Sequence, residues 1–179
     1  MARSIGAMAL LRTARSVLRS PGVVAGRDVA VGRQVQLEVG AGAQLVIGDG
    51  CRIGERTRIV VQQGRVEIGA GARLGERCAI VAHAAVTVGA DAWLQDGAVL
   101  VDFDHVVDDV ELPIRAQPIV ATPIIIGERA RIGLGSGVLR GVTVGPDAIV
   151  GPHAVVTRDV AAGARVGGVP ARPLTELDD

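Results

Sequence analysis

Three histidines stand at His83, His105 and His153, separated by 22 and 48 residues. No two are close enough in sequence to read as a metal-binding pair, so the chemistry to look for is that of a single imidazole. Histidine is the side chain whose ordinary pKa lies nearest neutrality, which suits it to take a proton from a reacting group and return it. His105 closes the run Val101-Asp102-Phe103-Asp104-His105, where Asp102 or Asp104 is placed to orient the imidazole and to stabilise an imidazolium. All 19 basic residues are arginine, which excludes Schiff-base chemistry and a lysine general base. The formal net charge is zero, so nothing points to nucleic acid as a partner.

The elements that must position these residues announce themselves by repetition. A Val, Ile or Leu followed directly by Gly occurs at Val31, Ile47, Ile53, Ile68, Leu74, Val88, Ile126, Ile132, Val144 and Val150. Four residues after each comes a small or β-branched residue, among them Cys51, Thr57, Cys78, Ala130 and Ser136. Both cysteines fall in this slot and read as small core residues in preference to a disulfide or metal pair. The period is six, unbroken from Ile126 through Val156. An α-helix does not return to the same face after six residues, whereas a short strand and a tight turn do. Three such units make an 18-residue coil in which Ile126, Val144 and Ala162 are expected to stack. Gly at the second position is expected to let the backbone bend at the corners. The composition agrees: 25 Gly, one Trp, one Phe and no Tyr suit a narrow aliphatic interior of similar layers.

Breaks in the register mark the loops. Ile59 to Ile68 predicts a small bulge near Gln62-Gln63-Gly64. The step from Leu100 to Ile126 spans 26 residues, carries Pro113, Pro118 and Pro123, and predicts a coil replaced or extended by an external loop over 101–125. Ahead of the repeat, Ala7, Leu10, Leu11, Ala14, Val17 and Leu18 form one apolar stripe with Arg12, Arg15 and Arg19 opposite. This predicts an amphipathic helix, stopped by Pro21-Gly22, that either caps the open prism or docks on an anionic membrane surface. The expected organisation is a helix and cap over 1–22, a repeat domain over 23–167 and a tail over 168–179. No apolar run reaches the roughly 18 residues needed to span a bilayer, and the short run from Ile5 to Leu11 lacks a convincing cleavage site, so a cytoplasmic protein is expected.

The repeat resembles that of the hexapeptide-repeat acyltransferase superfamily, and the resemblance covers roughly residues 29–167. It implies an all-β fold, a left-handed parallel β-helix of triangular coils, against the general rule of right-handed crossovers. Val101 to His105, then Leu112-Pro113-Ile114-Arg115-Ala116-Gln117-Pro118, then Pro123 to Gly127 resemble in order and spacing the sugar O-acetyltransferase branch, which includes maltose, galactoside and capsular polysaccharide acetyltransferases. So do Gly141 to Gly145 and Gly168-Val169-Pro170-Ala171-Arg172.

The resemblance implies acetyl-CoA as co-substrate, no metal, a sugar or glycan acceptor, and a homotrimer with sites between neighbouring prisms. It makes His105 the general base and the Leu134 backbone N–H the donor to the thioester. Pro152 is expected to stack on Leu134, and Thr157, Arg158 and Arg172 to meet the nucleotide end of CoA. Arg115 either meets the substrate or braces the loop. The chain departs from the branch at Pro152, where Ala is usual and an N–H is lost, at Arg131 in place of Trp, at Phe103 in place of His, and at His153 in place of Gly. These departures leave room for a hexapeptide-repeat scaffold without activity. A metalloenzyme like the γ-class carbonic anhydrases, which also use this repeat, is disfavoured by the wide histidine spacing.

Overall fold

The computed structural model describes residues 18–107 and 110–174. The predicted N-terminal helix therefore lies outside the described residues, apart from Leu18. Three sheets of six, eight and six strands wrap a prism, parallel except for the last strand of the eight, and each interior strand pairs with the strand one coil before and one coil after it. This is the parallel β-helix that the six-residue period requires, in the left-handed form implied by the resemblance. Among the described residues no helix is long and apolar enough to cross a membrane.

Strands form where one residue in two is aliphatic. In Gln44–Ile47, Leu45 and Ile47 point inward while Gln44 is exposed. The inward residues stack from coil to coil: Leu45 on Val66, Val66 on Val86, Val86 on Ile124. A second column runs Ile53, Leu74, Leu94, Ile132, Val150, Val166. Each such side chain, buried from water, contributes about 1.5–3 kcal/mol, and the columns make one continuous core.

The coil length is not constant. Paired residues are offset by 22, then 21, then 20 positions in the first three coils, and settle at 18 only from Ile125 onward. The excess includes Gln62-Gln63-Gly64, which bridge the strands Arg58–Val61 and Arg65–Ile68 where the bulge was predicted. At the far end the coil is short. Val144 bridges Val160 and not Ala162, because Val156 to Val160 spans only four residues. The tail then returns: Arg172–Pro173 pairs antiparallel with Arg165–Gly167.

The corner glycines serve a different purpose from the one expected. Gly54 has an ordinary negative φ, but a Cβ there would lie 2.4 Å from the backbone of Gly75 in the next coil. Gly127 is the same against Pro146, also at 2.4 Å. Glycine is needed at these positions for close stacking. The bend itself falls two residues later, where Arg56 and Arg129 adopt φ values of 58° and 56°. The small slot that follows has its own logic. Thr57 and Ser136 each donate a hydroxyl to a corner carbonyl of the next coil at 2.8 Å, to Gly75 and Gly151, so these buried polar atoms are satisfied.

Candidate active site

The segment 101–125 replaces no coil. The strand Val99–Val101 pairs normally with Ala79–Ala82 and Gly137–Leu139, and Ile124–Ile126 resumes the next sheet in register. Between them the chain leaves the corner as an antiparallel hairpin, Phe103–His105 against Ile119–Ala121, with His105 opposite Ile119. The hairpin is tied at its root by Thr122 N–H donating to the Asp102 carbonyl at 2.8 Å, and farther out by Val106 N–H donating to the Pro118 carbonyl at 2.9 Å. A single 3-10 turn, Ile114–Ala116, sits near its tip. The side chain of Arg115, on this turn, lies outside the described residues. Gln117 is buried and donates from Nε2 to the Leu112 carbonyl.

His105 is half-buried on this hairpin. Its Nδ1 is shielded from solvent and bonds to no described group. Its ring meets Phe103 edge-on at 6.1 Å, and Phe103 in turn packs against His83 at 4.3 Å. The two expected orienting carboxylates are placed otherwise. Asp102 is fully buried and accepts from the backbone N–H groups of His83 and Ala84 at 2.7 and 2.8 Å. Both its oxygens are engaged by the corner one coil back, so it anchors the root of the hairpin and does not bond to the imidazole. Asp104 is exposed and accepts the backbone N–H of His105 itself at 2.8 Å. It fixes the residue's backbone and does not touch the ring.

Leu134 lies on a corner between the second and third sheets, and the 18-residue offset of its coil places Pro152 in register on it. The following N–H, that of His153, donates to the Leu134 carbonyl at 2.7 Å. The Leu134 N–H has a partner the sequence did not suggest: it donates to Gln95 Oε1 at 3.0 Å. Gln95 occupies the corner where other coils carry Gly54, Gly75 or Gly133, so it was visible only as a missing glycine. His153 stands on the same corner as Pro152, exposed, with a positive φ of 55°.

The structure brings Arg158 and Arg172 together. Both line a cleft of about 310 Å³ at the C-terminal end of the prism, with Val156, Val160, Ala164 and Pro173 as its apolar wall. Asp159 also borders it, and its carboxylate accepts the Thr143 N–H at 2.7 Å. Thr157 belongs to a different hollow of about 520 Å³ beside the hairpin, shared with Phe103, Asp104, Leu139 and Arg140. Arg140 was not singled out from the sequence; it is an arginine in the corner that follows Leu139, with no feature to mark it.

Cys51 and Cys78 take no part. Both are buried and unbonded to each other, and they donate to backbone carbonyls of Gly69 and Gln95 at 3.0 and 3.2 Å. Burial pushes both thiols above their ordinary value, Cys78 to about 11. Neither supplies a thiolate nucleophile near neutrality. Among the described residues no group of three or more His, Cys, Asp or Glu gathers as a metal site.

Comparison with known proteins places this geometry. Residues 121–158 match the family described as bacterial transferase hexapeptide (six repeats). A Mycobacterium tuberculosis protein named "Probable acetyltransferase" is 32% identical over 162 residues, which is 90% of this chain. The chain spans only 54% of that relative's length. Among solved structures, a variant of AntD, an N-acyltransferase from Bacillus cereus in complex with dTDP-4-amino-4,6-dideoxyglucose and coenzyme A, superposes with a TM-score of 0.76 at 17% identity, covering 89% of this chain and 87% of that one. A maltose O-acetyltransferase from Clostridium difficile gives 0.58 at 18% identity, covering 96% and 84%. At these identities the structural likenesses establish the fold alone.

Proposed function

We propose that the chain is a hexapeptide-repeat acyltransferase, on the match over residues 121–158 and the likeness to a probable acetyltransferase, and that it transfers an acetyl group from acetyl-CoA to a hydroxyl of a sugar or glycan. The observation that carries this reading is His105: a half-buried imidazole, held on an ordered hairpin, whose shielded Nδ1 is bonded to no described group. The Nδ1 of His83 is shielded in the same way, but His105 alone stands on the hairpin; an imidazole with unspent bonding capacity suits proton transfer, and neither carboxylate beside it in sequence competes for the ring.

In the proposed reaction His105 takes the proton of the acceptor hydroxyl. The oxygen attacks the thioester carbonyl, the carbon–sulfur bond breaks, and His105 returns the proton to the leaving thiolate, so no covalent acyl-enzyme forms. The Leu134 N–H is the donor available to the oxyanion once Gln95 yields it. The cleft gathering Arg158 and Arg172 suits the phosphates of CoA, since guanidinium groups bind phosphate in bidentate fashion. Its aliphatic wall suits an adenine ring. AntD acylates nitrogen, so the choice of oxygen over nitrogen rests on the hairpin's resemblance to the sugar O-acetyltransferases and is part of the proposal.

We also propose a homotrimer. The hairpin projects Val107, Val110, Leu112 and Ile114 into solvent, with Val110 93% exposed. Such a cluster calls for cover, which a neighbouring prism supplies. The compartment we assign is the cytoplasm, where acetyl-CoA is at hand.

The test is thiol release from acetyl-CoA against a panel of sugars, glycans and amino-sugars, with His105→Ala alongside. Hydroxyl-dependent turnover lost in the variant supports the reading. Turnover only with amino-sugars reassigns the chain to N-acylation. No turnover together with no CoA binding by calorimetry leaves a scaffold, with the closed Leu134 N–H and Pro152 as its physical reasons.

A further inference from the structure

One face of the prism is built differently from the others. On the eight-stranded sheet the outward positions Arg52, Arg73, Trp93, Arg131, Ile149 and Arg165 lie in a single register across successive strands. Parallel strands lie about 4.8 Å apart, so Arg52 and Arg73 are direct like-charged neighbours, while Trp93 and Ile149 space Arg131 and Arg165 two strands from the next arginine. Some outward arginines are answered by carboxylates: Arg27, Arg33 and Arg129 pair with Asp49, Glu55 and Asp147 at 2.8–3.0 Å. None of the four arginines in the column is paired with a carboxylate of a described residue.

The column has a centre. Trp93, the chain's only tryptophan, is 39% exposed, and the Arg131 guanidinium lies 5.7 Å from its ring centroid. Both line a groove of about 590 Å³ with Arg73. Asp91 and the bonded Arg129–Asp147 pair also line it, so the acidic groups present are one aspartate and one already neutralised. An exposed indole offers a flat apolar face to the C–H face of a sugar ring. Arginines one strand to either side offer forked donors to carboxylate or phosphate. Arg73 and Arg131 are two strands apart, roughly 10 Å, a separation comparable to a disaccharide unit.

We propose that this groove binds an acidic glycan, a sugar chain bearing carboxylates or phosphates, with Trp93 stacked on one ring and Arg73 and Arg131 paired with anionic groups on its neighbours. That the bound chain is also the acceptor rests on the acetyl-transfer reading above; the binding itself does not.

The single tryptophan is the probe. The full chain is titrated, without acetyl-CoA, with an oligogalacturonate of defined length while its emission is followed. Saturable change is expected, weakened roughly five- to tenfold by Arg73→Gln or Arg131→Gln and weakened further by added salt. Calorimetry with Trp93→Ala is expected to lose most of the binding. The proposal is overturned if the fully methyl-esterified oligomer binds equally well, if an oligothymidylate of matching charge binds as tightly, or if the acidic oligomer produces no saturable signal by either method. Binding without thiol release from any acceptor and without CoA binding would leave this groove assigned and sink the transferase reading. Thiol release on neutral sugars without this binding would do the reverse.

Discussion

The backbone N–H of Leu134 donates to the side-chain carbonyl of Gln95, 39 residues earlier, at 3.0 Å. The one N–H on this corner that the family resemblance assigns to the thioester is thus already satisfied from within the chain. An acyl donor that uses it must exchange places with the glutamine carbonyl. Gln95→Ala removes the competitor, and a net hydrogen bond is worth about 1 kcal/mol, so the apparent affinity for acetyl-CoA is expected to rise roughly fivefold. Calorimetric titration with CoA and with acetyl-CoA checks this. An unchanged affinity for both would mean that the Leu134 N–H is not used.

His105→Ala is expected to lower turnover by about 10²–10⁴-fold, the range typical of a lost general base. The thermal midpoint is expected to stay near that of the parent, because the imidazole Nδ1 bonds to no described residue. A proportionate fall in midpoint would assign the residue to folding instead.

Asp102 behaves in the opposite way. Its removal leaves the His83 and Ala84 N–H groups buried and unmet, at about 1–3 kcal/mol each. Asp102→Ala is therefore expected to lower stability by a few kcal/mol in urea unfolding. Asp102→Asn, which keeps an acceptor, is expected to lose less. Equal losses in the two variants would contradict the anchoring role.

The buried thiols predict an alkaline limb. The Cys78 pKa is raised to about 11 in the folded chain by burial, above its ordinary 9.0 when unfolded. Its neutral form is favoured by the fold, so the contribution is intact below pH 9 and is lost as pH climbs toward 11, on the order of 2 kcal/mol. At the acid end the sign reverses. Asp147, held low by its bonds to Arg129, and Asp49, held low first by the Arg27 backbone N–H, stabilise above the ordinary carboxylate range and cease to do so as pH falls through their lowered values. Urea midpoints measured across pH test both limbs, with Cys78→Ala expected to flatten the alkaline one. Alkylation of either thiol is expected only on unfolding.

Corner glycines offer a test of close stacking against bending. Gly54→Ala drives a Cβ into the backbone of Gly75, whereas Gly42, with φ of 78°, has open space around it. Overpacking of backbone on backbone costs about 1–3 kcal/mol, and a left-handed alanine about 1 kcal/mol. Gly54→Ala is expected to be the more destabilising of the two in chemical denaturation.

Most of the architecture was legible because a parallel β-helix writes its geometry into a one-dimensional period. Ile126, Ile132, Val138 and Val144 state the three faces of a coil directly. The period failed where the coil length drifted, which is why Ala162 was placed on Val144 in the position that Val160 occupies. His105, the proposed base, stands out in the sequence as a histidine at the edge of a break in the pattern. The roles of Asp102 and Gln95 were not legible, since each is fixed by a partner one coil away, and hydrogen-bond direction leaves no trace in spacing. The arginine column was hidden for a related reason: Arg52, Arg73 and Arg131 are ordinary outward residues until the register puts them in one column.

The strand Arg172–Pro173 runs back against Arg165–Gly167, the reverse of every other pairing in that sheet. A stack of parallel coils presents at each end an unfinished ladder that another copy of the same coil fits, and an unguarded end invites growth into a fibre. The reversed strand, with a proline in it, breaks that template on one side of the prism. Because Arg172 sits on the same strand and lines the cleft with Arg158, the element that ends the stack also completes the cleft. Truncation there would bare the ladder and open the cleft in one stroke.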